Sequence, residues 1–439
     1  MLSPNVLSYH KRKVKYSTKH YSIMILAEST TLPCGLSLPN RLCKGAMAES
    51  MSTTHVPDES FLKAYGAWAD GGWGMIITGN VQVSSRYLGS NKDVAHNSNP
   101  TEATKAIWKS WAATCQRSGT PTIVQICHPG RQSPLMAGDR GFFDKTVAPS
   151  AVPLKLGKSL IERAASKLIF GTPRELTTND ISGPGGIIDE FVAGAKQCYE
   201  AGFKGVEVHG AHGYLLAQFL SPSSNLRTDE FGGTARKRAE IVVRIINAIR
   251  KQTSKEFCIG IKMNSVDASS NESLTDSMEQ IRYVVEAGID FIEISGGTYE
   301  NPRMMEGDSP GKKSSSTSSR ESFFLEFAKS VREQFPSAVL MVTGGFRTRI
   351  GMEEALQSGA CDLVGIARPA AILPKLPKEI ILNKDIPDEE ARVALAPLSI
   401  PFLIRHSPVK QVGAGFQSTY FSSQIQRLSK GLTPTDIRV

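Results

Sequence analysis

The chain has 439 residues, 40% hydrophobic and 21% charged, a balance expected of a folded globular protein rather than a disordered or fibrous one. Its formal charge of +9 is uneven: Lys11, Arg12, Lys13, Lys15 and Lys19 all precede the first acidic residue, Glu28, and setting them aside leaves +4. That remainder carries no basic stripe and no apolar run long enough for a bilayer, so neither nucleic acid nor a membrane is expected as a partner.

The acid-free segment 1–27 has the composition of a weak mitochondrial transit peptide and reads more simply as a disordered extension. The seven cysteines, at 34, 43, 115, 127, 198, 258 and 361, never form Cys-x-x-Cys. No zinc ribbon or cysteine-ligated cluster is expected, and a reducing, cytoplasmic compartment is the simpler inference.

The elements then follow in order. After a turn at 32–39, residues 40–48 read as a first strand ending near Met47. Residues 58–70 form an amphipathic helix with Phe61, Leu62, Tyr65 and Trp68 on one side. A buried second strand ends at Thr78, a helix covers 101–118, and the third strand runs from Pro121 to His128. The stretch 129–180, rich in Pro, Gly and Ser, reads as a long functional loop or lid with a small excursion near 158–170. Helix 189–201 leads to strand four, 204–209; helix 235–252 leads to strand five, 257–263; helix 276–287 leads to strand six, 290–294. A Gly/Ser-rich loop at 295–319 precedes helix 320–335, strand seven at 338–343, helix 350–358 and strand eight at 362–366. Eight strands alternating with helices predict an α/β fold, a single (β/α)8 TIM barrel over 28–375. Segment 376–439 is expected as a helical extension packed on it. A doubly wound sheet would need a strand–Gly-x-Gly-x-x-Gly–helix unit, which does not occur.

Strand four ends in a cluster of polar side chains: His209, His212 and Tyr214. Barrels of this class do their chemistry at the carboxyl ends of strands. Two imidazoles can donate to one oxygen and a phenol can give up a proton, so the three are candidate catalytic groups. Strand seven runs into Thr343-Gly344-Gly345 and strand eight into Ile366-Ala367-Arg368. Glycine turns and an arginine at these two strand ends suit a phosphate. Gln125 and Lys262 are inward candidates: an amide suits a heterocyclic edge, and a buried ammonium would stabilise negative charge on such a ring.

With these residues assembled, His209-Gly-Ala-His-Gly-Tyr-Leu-Leu-Ala-Gln-Phe-Leu-Ser-Pro222 and Asn225-Leu-Arg-Thr-Asp-Glu-Phe-Gly-Gly233 resemble the hallmark of the old yellow enzyme family of flavin mononucleotide (FMN) ene-reductases, in a bacterial-like branch also found in fungi. Gln125-Ile-Cys-His-Pro-Gly-Arg-Gln132 resembles its third-strand motif, and Asn40 to Met47 its first strand. The resemblance covers about residues 30–375. It implies FMN at the top of the barrel, with NADPH or NADH as a transient hydride donor. His209 and His212 would hold the carbonyl oxygen of an enone or enal, and Tyr214 would protonate the α carbon. Gln125 would meet the flavin pyrimidine, and Lys262 would support charge on the reduced ring. Gly344, Gly345, Ala367 and Arg368 would hold the phosphate. Gly45, Ala46, Met47, Ala48 and Asn80 would line the flavin. Departures from the family pattern at Ala46, Ala48, Lys262 and Ala367 bear on flavin potential, and Gly296-Gly-Thr-Tyr-Glu300 fits the same branch. A homo-oligomer is an allowed assembly. The rival readings are another flavin reaction on the same barrel (dehydrogenase, demethylase or isomerase) and a metal-dependent hydrolase using Glu207, His209 and His212.

Overall fold

The computed structural model describes residues 24–141, 143–157, 159–266, 273–296, 315–396, 398 and 410–438. Most of the 1–27 extension, most of the 295–319 loop and residues 297–300 of the Gly-Gly-Thr-Tyr-Glu motif lie outside them.

Eight parallel strands close on themselves: β1 Leu42–Lys44, β2 Met75–Ile77, β3 Thr122–Cys127, β4 Gly205–Gly210, β5 Cys258–Asn264, β6 Phe291–Ser295, β7 Leu340–Thr343 and β8 Leu363–Ile366. Each pairs with its sequence neighbours, and β8 pairs with β1 through Val364 opposite Leu42. The fold class read from the sequence is therefore correct. The first strand is shorter than its apolar run. Gly45 N still donates to Ile366 O at 2.8 Å, but Ala46, Met47 and Ala48 then leave the sheet as irregular chain over the barrel mouth.

Helices α1 Glu59–Ala69, α2 Glu102–Gln116, α3 Ile187–Ala201, α4 Ala235–Gln252, α5 Leu274–Glu286, α6 Ser315–Gln334 and α7 Arg349–Gln357 surround the strands. Side-chain caps begin most of them: Asp58 accepts from Ser60 N, Thr101 from Thr104 N, Thr234 from Lys237 N and Thr348 from Gly351 N. On α1, Phe61, Tyr65 and Trp68 are buried, whereas Leu62, expected on the same side, is half-buried. Trp111 of α2 meets Tyr65 edge-on at 5.2 Å.

Alternation along the strands separates two apolar layers. Outward residues such as Val206, Val208, Ile259 and Ile261 pack under the helices. Inward residues including Ile123, Cys258, Phe291 and Met341 fill the barrel floor, which the Thr30–Thr31/Ser37–Leu38 hairpin closes with Leu32 and Leu38. Gly260 is required here: a Cβ would sit 2.2 Å from the Phe291 ring.

The 129–180 stretch is more ordered than its composition suggests. It carries a helix, Leu160–Phe170, started by a Ser159/Glu162 capping box, and parallel two-residue strands Val147–Ala148 and Arg174–Glu175. Near the C-terminus, α8 Lys410–Ser429 lies against α1. Its Ser422 hydroxyl donates to Ala48 O at 2.7 Å, and Gln426 Nε2 donates to Ser50 O at 2.8 Å. The helix therefore borders the chain that leaves β1. Among the described residues, no helix is long and apolar enough to cross a membrane.

Candidate active site

The strand-four cluster assembles as a unit. His209 Nε2 and His212 Nδ1 lie 3.2 Å apart, and the Tyr214 ring stands edge-on to His209 with centroids at 4.7 Å. His209 is buried; His212 and Tyr214 are half-buried at the mouth. His212 adopts φ of 59°, a left-handed conformation unusual for a non-glycine residue. Two amides hold that turn in place: His212 N donates to Asn264 Oδ1 at 3.1 Å, and Gln132 Nε2 donates to His212 O at 3.1 Å.

The hydrogen bonds imply a tautomer chain. Ala211 N donates to His209 Nδ1 at 3.4 Å, so the His209 proton is on Nε2 and faces His212 Nδ1. The far nitrogen of His212, Nε2, lies 3.1 Å from the Ser295 hydroxyl, which can donate or accept. Burial pushes both imidazoles well below their ordinary pKa; the charge of Lys262 adds to this for both, and at His209 that of His212 does too. Both rings are accordingly neutral near pH 7.

A belt of buried polar groups reaches down from this cluster over two inward rungs: His209 opposite Lys262 and Lys262 opposite Glu293 on the upper, Gln125 opposite Glu207 on the lower. Gln125 Nε2 donates to Glu207 Oε2, and Lys262 Nζ lies 2.7 Å from Glu293 Oε1. Burial, and then the Glu293 charge, push Glu207 well above the usual carboxylate range. Glu293 is held below it: burial opposes, but Lys262 and the proton donated by Glu207 outweigh burial. The pair thus shares one proton, with Glu207 neutral and Glu293 the anion that matches Lys262.

Around the mouth, Gly344 and Gly345 have φ of 134° and 86°, and a Cβ on Gly344 would meet the Phe324 ring at 2.9 Å. Ala367 precedes the short helix Arg368–Ile372, and Arg368 Nη1 donates to Gln417 Oε1 at 3.3 Å. A Cβ on Gly45 would lie 3.3 Å from Thr343 Cγ2 and 3.6 Å from Ala367 Cβ, so the ends of β1, β7 and β8 meet. Ala48 is exposed, Ala46 and Met47 are half-buried, and Asn80 Oδ1 is buried without a partner. An orphan amide oxygen that can accept from a ring N–H, backbone opened by glycines and an arginine at one rim, with a Lys-bearing belt beneath, form a polar set that fits a phosphorylated heterocycle.

The hydrolase ligand set does not converge. Glu207 faces Gln125 and Glu293 rather than the two imidazoles. Among the described residues, the one group of three possible metal ligands is Cys34, Cys258 and Asp290, on the barrel floor. Sequence reasoning passed over Ser295, Asn264, Gln132 and Glu293. For Asn264, Glu293 and Ser295 the signal was present: each lies two residues from another inward position on its strand. Gln132 sits in the short turn Gly130–Gln132, where no periodicity operates.

A family model described as the NADH:flavin oxidoreductase / NADH oxidase family matches residues 35–389. The NADH-dependent flavin oxidoreductase iliE of Neonectria sp. (strain DH2) is 44% identical over 407 residues, covering 90% of this chain and 53% of that protein. The chain thus spans about half the length of that relative. The NADH-dependent flavin oxidoreductase iccE of Talaromyces variabilis is 43% identical over 409 residues, covering 92% of this chain and 98% of that protein. Morphinone reductase in complex with tetrahydroNAD shares the fold at a TM-score of 0.64 and 23% identity, over 80% of this chain and 89% of that one.

Proposed function

The chain belongs to the NADH:flavin oxidoreductase / NADH oxidase family of FMN- and NAD(P)H-using oxidoreductases, and on that premise we propose that it reduces the carbon–carbon double bond of an α,β-unsaturated carbonyl compound. When bound, FMN supplies hydride relay, from reduced nicotinamide to the β carbon of the substrate. The observation that carries the reading is the pair of ring nitrogens 3.2 Å apart, on two neutral imidazoles, beside the Tyr214 ring.

A carbonyl oxygen seated against that pair accepts from His209 Nε2 and, once His212 takes its other tautomer, from His212 Nδ1. Ser295 makes the change possible: its hydroxyl rotates from accepting at His212 Nε2 to donating there. The imidazoles then hold two protons where enolate charge develops, and being neutral they do so without adding a buried charge. Tyr214 gives its phenolic proton to the α carbon. Lys262, held by Glu293, faces the ring that becomes electron-rich, and Gln125 offers its amide to the ring edge. Gly344, Gly345, Ala367 and Arg368 hold the phosphate, and Gly45, Ala46, Met47, Ala48 and Asn80 line the ring. A small-molecule partner goes with this proposal, and so does a cytoplasmic location, in keeping with scattered cysteines that never form Cys-x-x-Cys.

The test is anaerobic spectroscopy of the FMN-loaded protein. NADH or NADPH bleaches the flavin, and a cyclic enone restores the colour. In Tyr214→Phe the bleaching persists while enone-dependent recovery falls by about 10²–10⁴-fold. Recovery at the wild-type rate in that variant rejects Tyr214 as proton donor. Bleaching with no recovery by any enone or enal moves the reaction to another flavin chemistry.

A further inference from the structure

The barrel floor, at the opposite end of the strands from His209, holds a second cluster. The tight turn between Leu32 and Leu36 is closed by Gly35 N donating to Leu32 O at 2.8 Å, and it carries Cys34. Of the chain's seven cysteines Cys34 alone is not fully buried. It packs on the floor layer that contains Cys258, the first residue of β5. Cys34 Sγ, Cys258 Sγ and a carboxylate oxygen of Asp290 all lie within 4.8 Å of one another. About half the chain separates the two cysteines, so no spacing rule connects them.

We propose that Cys34 and Cys258 form an oxidative modification site, a dithiol that closes to a disulfide with a low-molecular-weight disulfide as oxidant and so staples the N-terminal hairpin to β5. The environment gives the two sulfurs different parts. Cys34 is reachable, and its thiol is held below its ordinary pKa, chiefly by the hydrogen bond from Cys258, against burial and the charge of Asp290. Cys258 is enclosed and pushed well above its ordinary value, first by burial and then by donating to Cys34. Cys34 is therefore the attacking sulfur and Cys258 the resolving one.

The steps balance. The Cys34 thiolate attacks one sulfur of the small disulfide, forming a mixed disulfide and expelling one thiolate. The Cys258 thiol gives its proton to that thiolate and attacks the Cys34 sulfur, expelling the second thiolate, which takes up the proton Cys34 released. Two protein thiols lose two electrons, and the oxidant leaves as two thiols.

The sulfurs must close to bonding distance, about 2.05 Å. The turn leaves room for this: Gly35, beside Cys34, has φ of 86° and nothing within 4 Å of where a Cβ would stand. A resident cation is the poorer occupant, because Asp290 is already taken. Its Oδ2 accepts from Arg250 Nη2 at 2.7 Å and from Ile259 N at 2.7 Å, and a metal would face the guanidinium.

The experiment uses the full-length, FMN-loaded protein, equilibrated with graded ratios of glutathione disulfide to glutathione, quenched by alkylation and mapped as peptides without reduction. The expected result is one cross-linked pair, Cys34 with Cys258, lighter by two hydrogen atoms and reversed by dithiothreitol. The thermal midpoint rises by several degrees on oxidation, because the bridge closes a loop of about half the chain. In Cys34→Ser the cross-link and the oxidant-dependent rise both vanish. Three outcomes overturn the proposal: Cys34 stopping at the glutathione adduct, oxidation leaving both thiols open to alkylation, or zinc chloride loading one ion per chain that keeps both thiols reduced under the oxidant.

Discussion

The shared proton between Glu207 and Glu293 predicts strongly non-additive behaviour. Glu293 is fully buried, lies 2.7 Å from Lys262 Nζ and carries the charge of the pair. Changing it to Gln removes that anion, but Glu207 sits in the same belt with a proton to release and can take over as the counter-charge. The expected loss is that of a rearranged hydrogen-bond set, about 1–2 kcal/mol. Glu207→Gln replaces a neutral carboxyl with a neutral amide and leaves the Lys262–Glu293 pair whole, for a loss below about 1 kcal/mol. The double variant leaves the Lys262 ammonium buried with neither carboxylate, a change of about 3–5 kcal/mol. At the middle of these ranges the double loss exceeds the sum of the singles by about 2 kcal/mol, outside the scatter for independent sites. Urea unfolding of the FMN-free protein reads this directly, with the denaturant slope unchanged across the set. Losses that add within about 0.5 kcal/mol, or a Glu207→Gln as damaging as Glu293→Gln, would refute the shared proton.

Two further predictions concern the histidines. Ser295→Ala leaves His212 Nε2 without a donor in the tautomer that serves the carbonyl, so the enone half-reaction slows by about 5–30-fold, equivalent to about 1–2 kcal/mol. Ser295→Thr restores it, and stopped-flow flavin reoxidation with no difference between wild type and Ser295→Ala removes the serine from the scheme. His128, beneath Tyr87, is pushed down to about 3 by burial. The unfolded chain therefore binds one more proton there, and His128 costs stability as pH falls from about 6.5, at about 1.4 kcal/mol per pH unit. Glu190, pushed up to about 7 by burial, slopes the other way, so the comparison is between variants rather than absolute curves. His128→Gln flattens the dependence between about pH 6 and 5 by one proton's worth; an unchanged slope in unfolding titrations contradicts the assignment.

The barrel was legible in the sequence because its strands are short apolar or alternating runs and each helix has its own period. These are local properties, set by which face must leave water, and the strand order followed from alternation alone. His209, His212 and Tyr214 were legible for the same reason: they sit within six residues, at one strand end, so chain connectivity brings them together. Boundaries were less readable. β1 stops at Lys44 because the chain departs to line the mouth, a choice made by contacts with β8 and α8. The 129–180 stretch held a helix whose Ser159/Glu162 capping box was visible, though turn-forming residues around it dominated the composition.

What only the tertiary structure decided is who faces whom across the barrel. A period of two says that Gln125, Glu207, Lys262 and Glu293 all point inward; strand register pairs Gln125 with Glu207 and Lys262 with Glu293. Those pairings bear on which carboxylate keeps its proton, because the answer depends on a lysine on the neighbouring strand and on burial no local pattern reports. Ser295 and Asn264 join the histidines by the same adjacency of β4, β5 and β6. Cys34 and Cys258 meet because a hairpin before the first strand folds back under the fifth, a contact fixed by packing of the floor and invisible to any spacing along the chain.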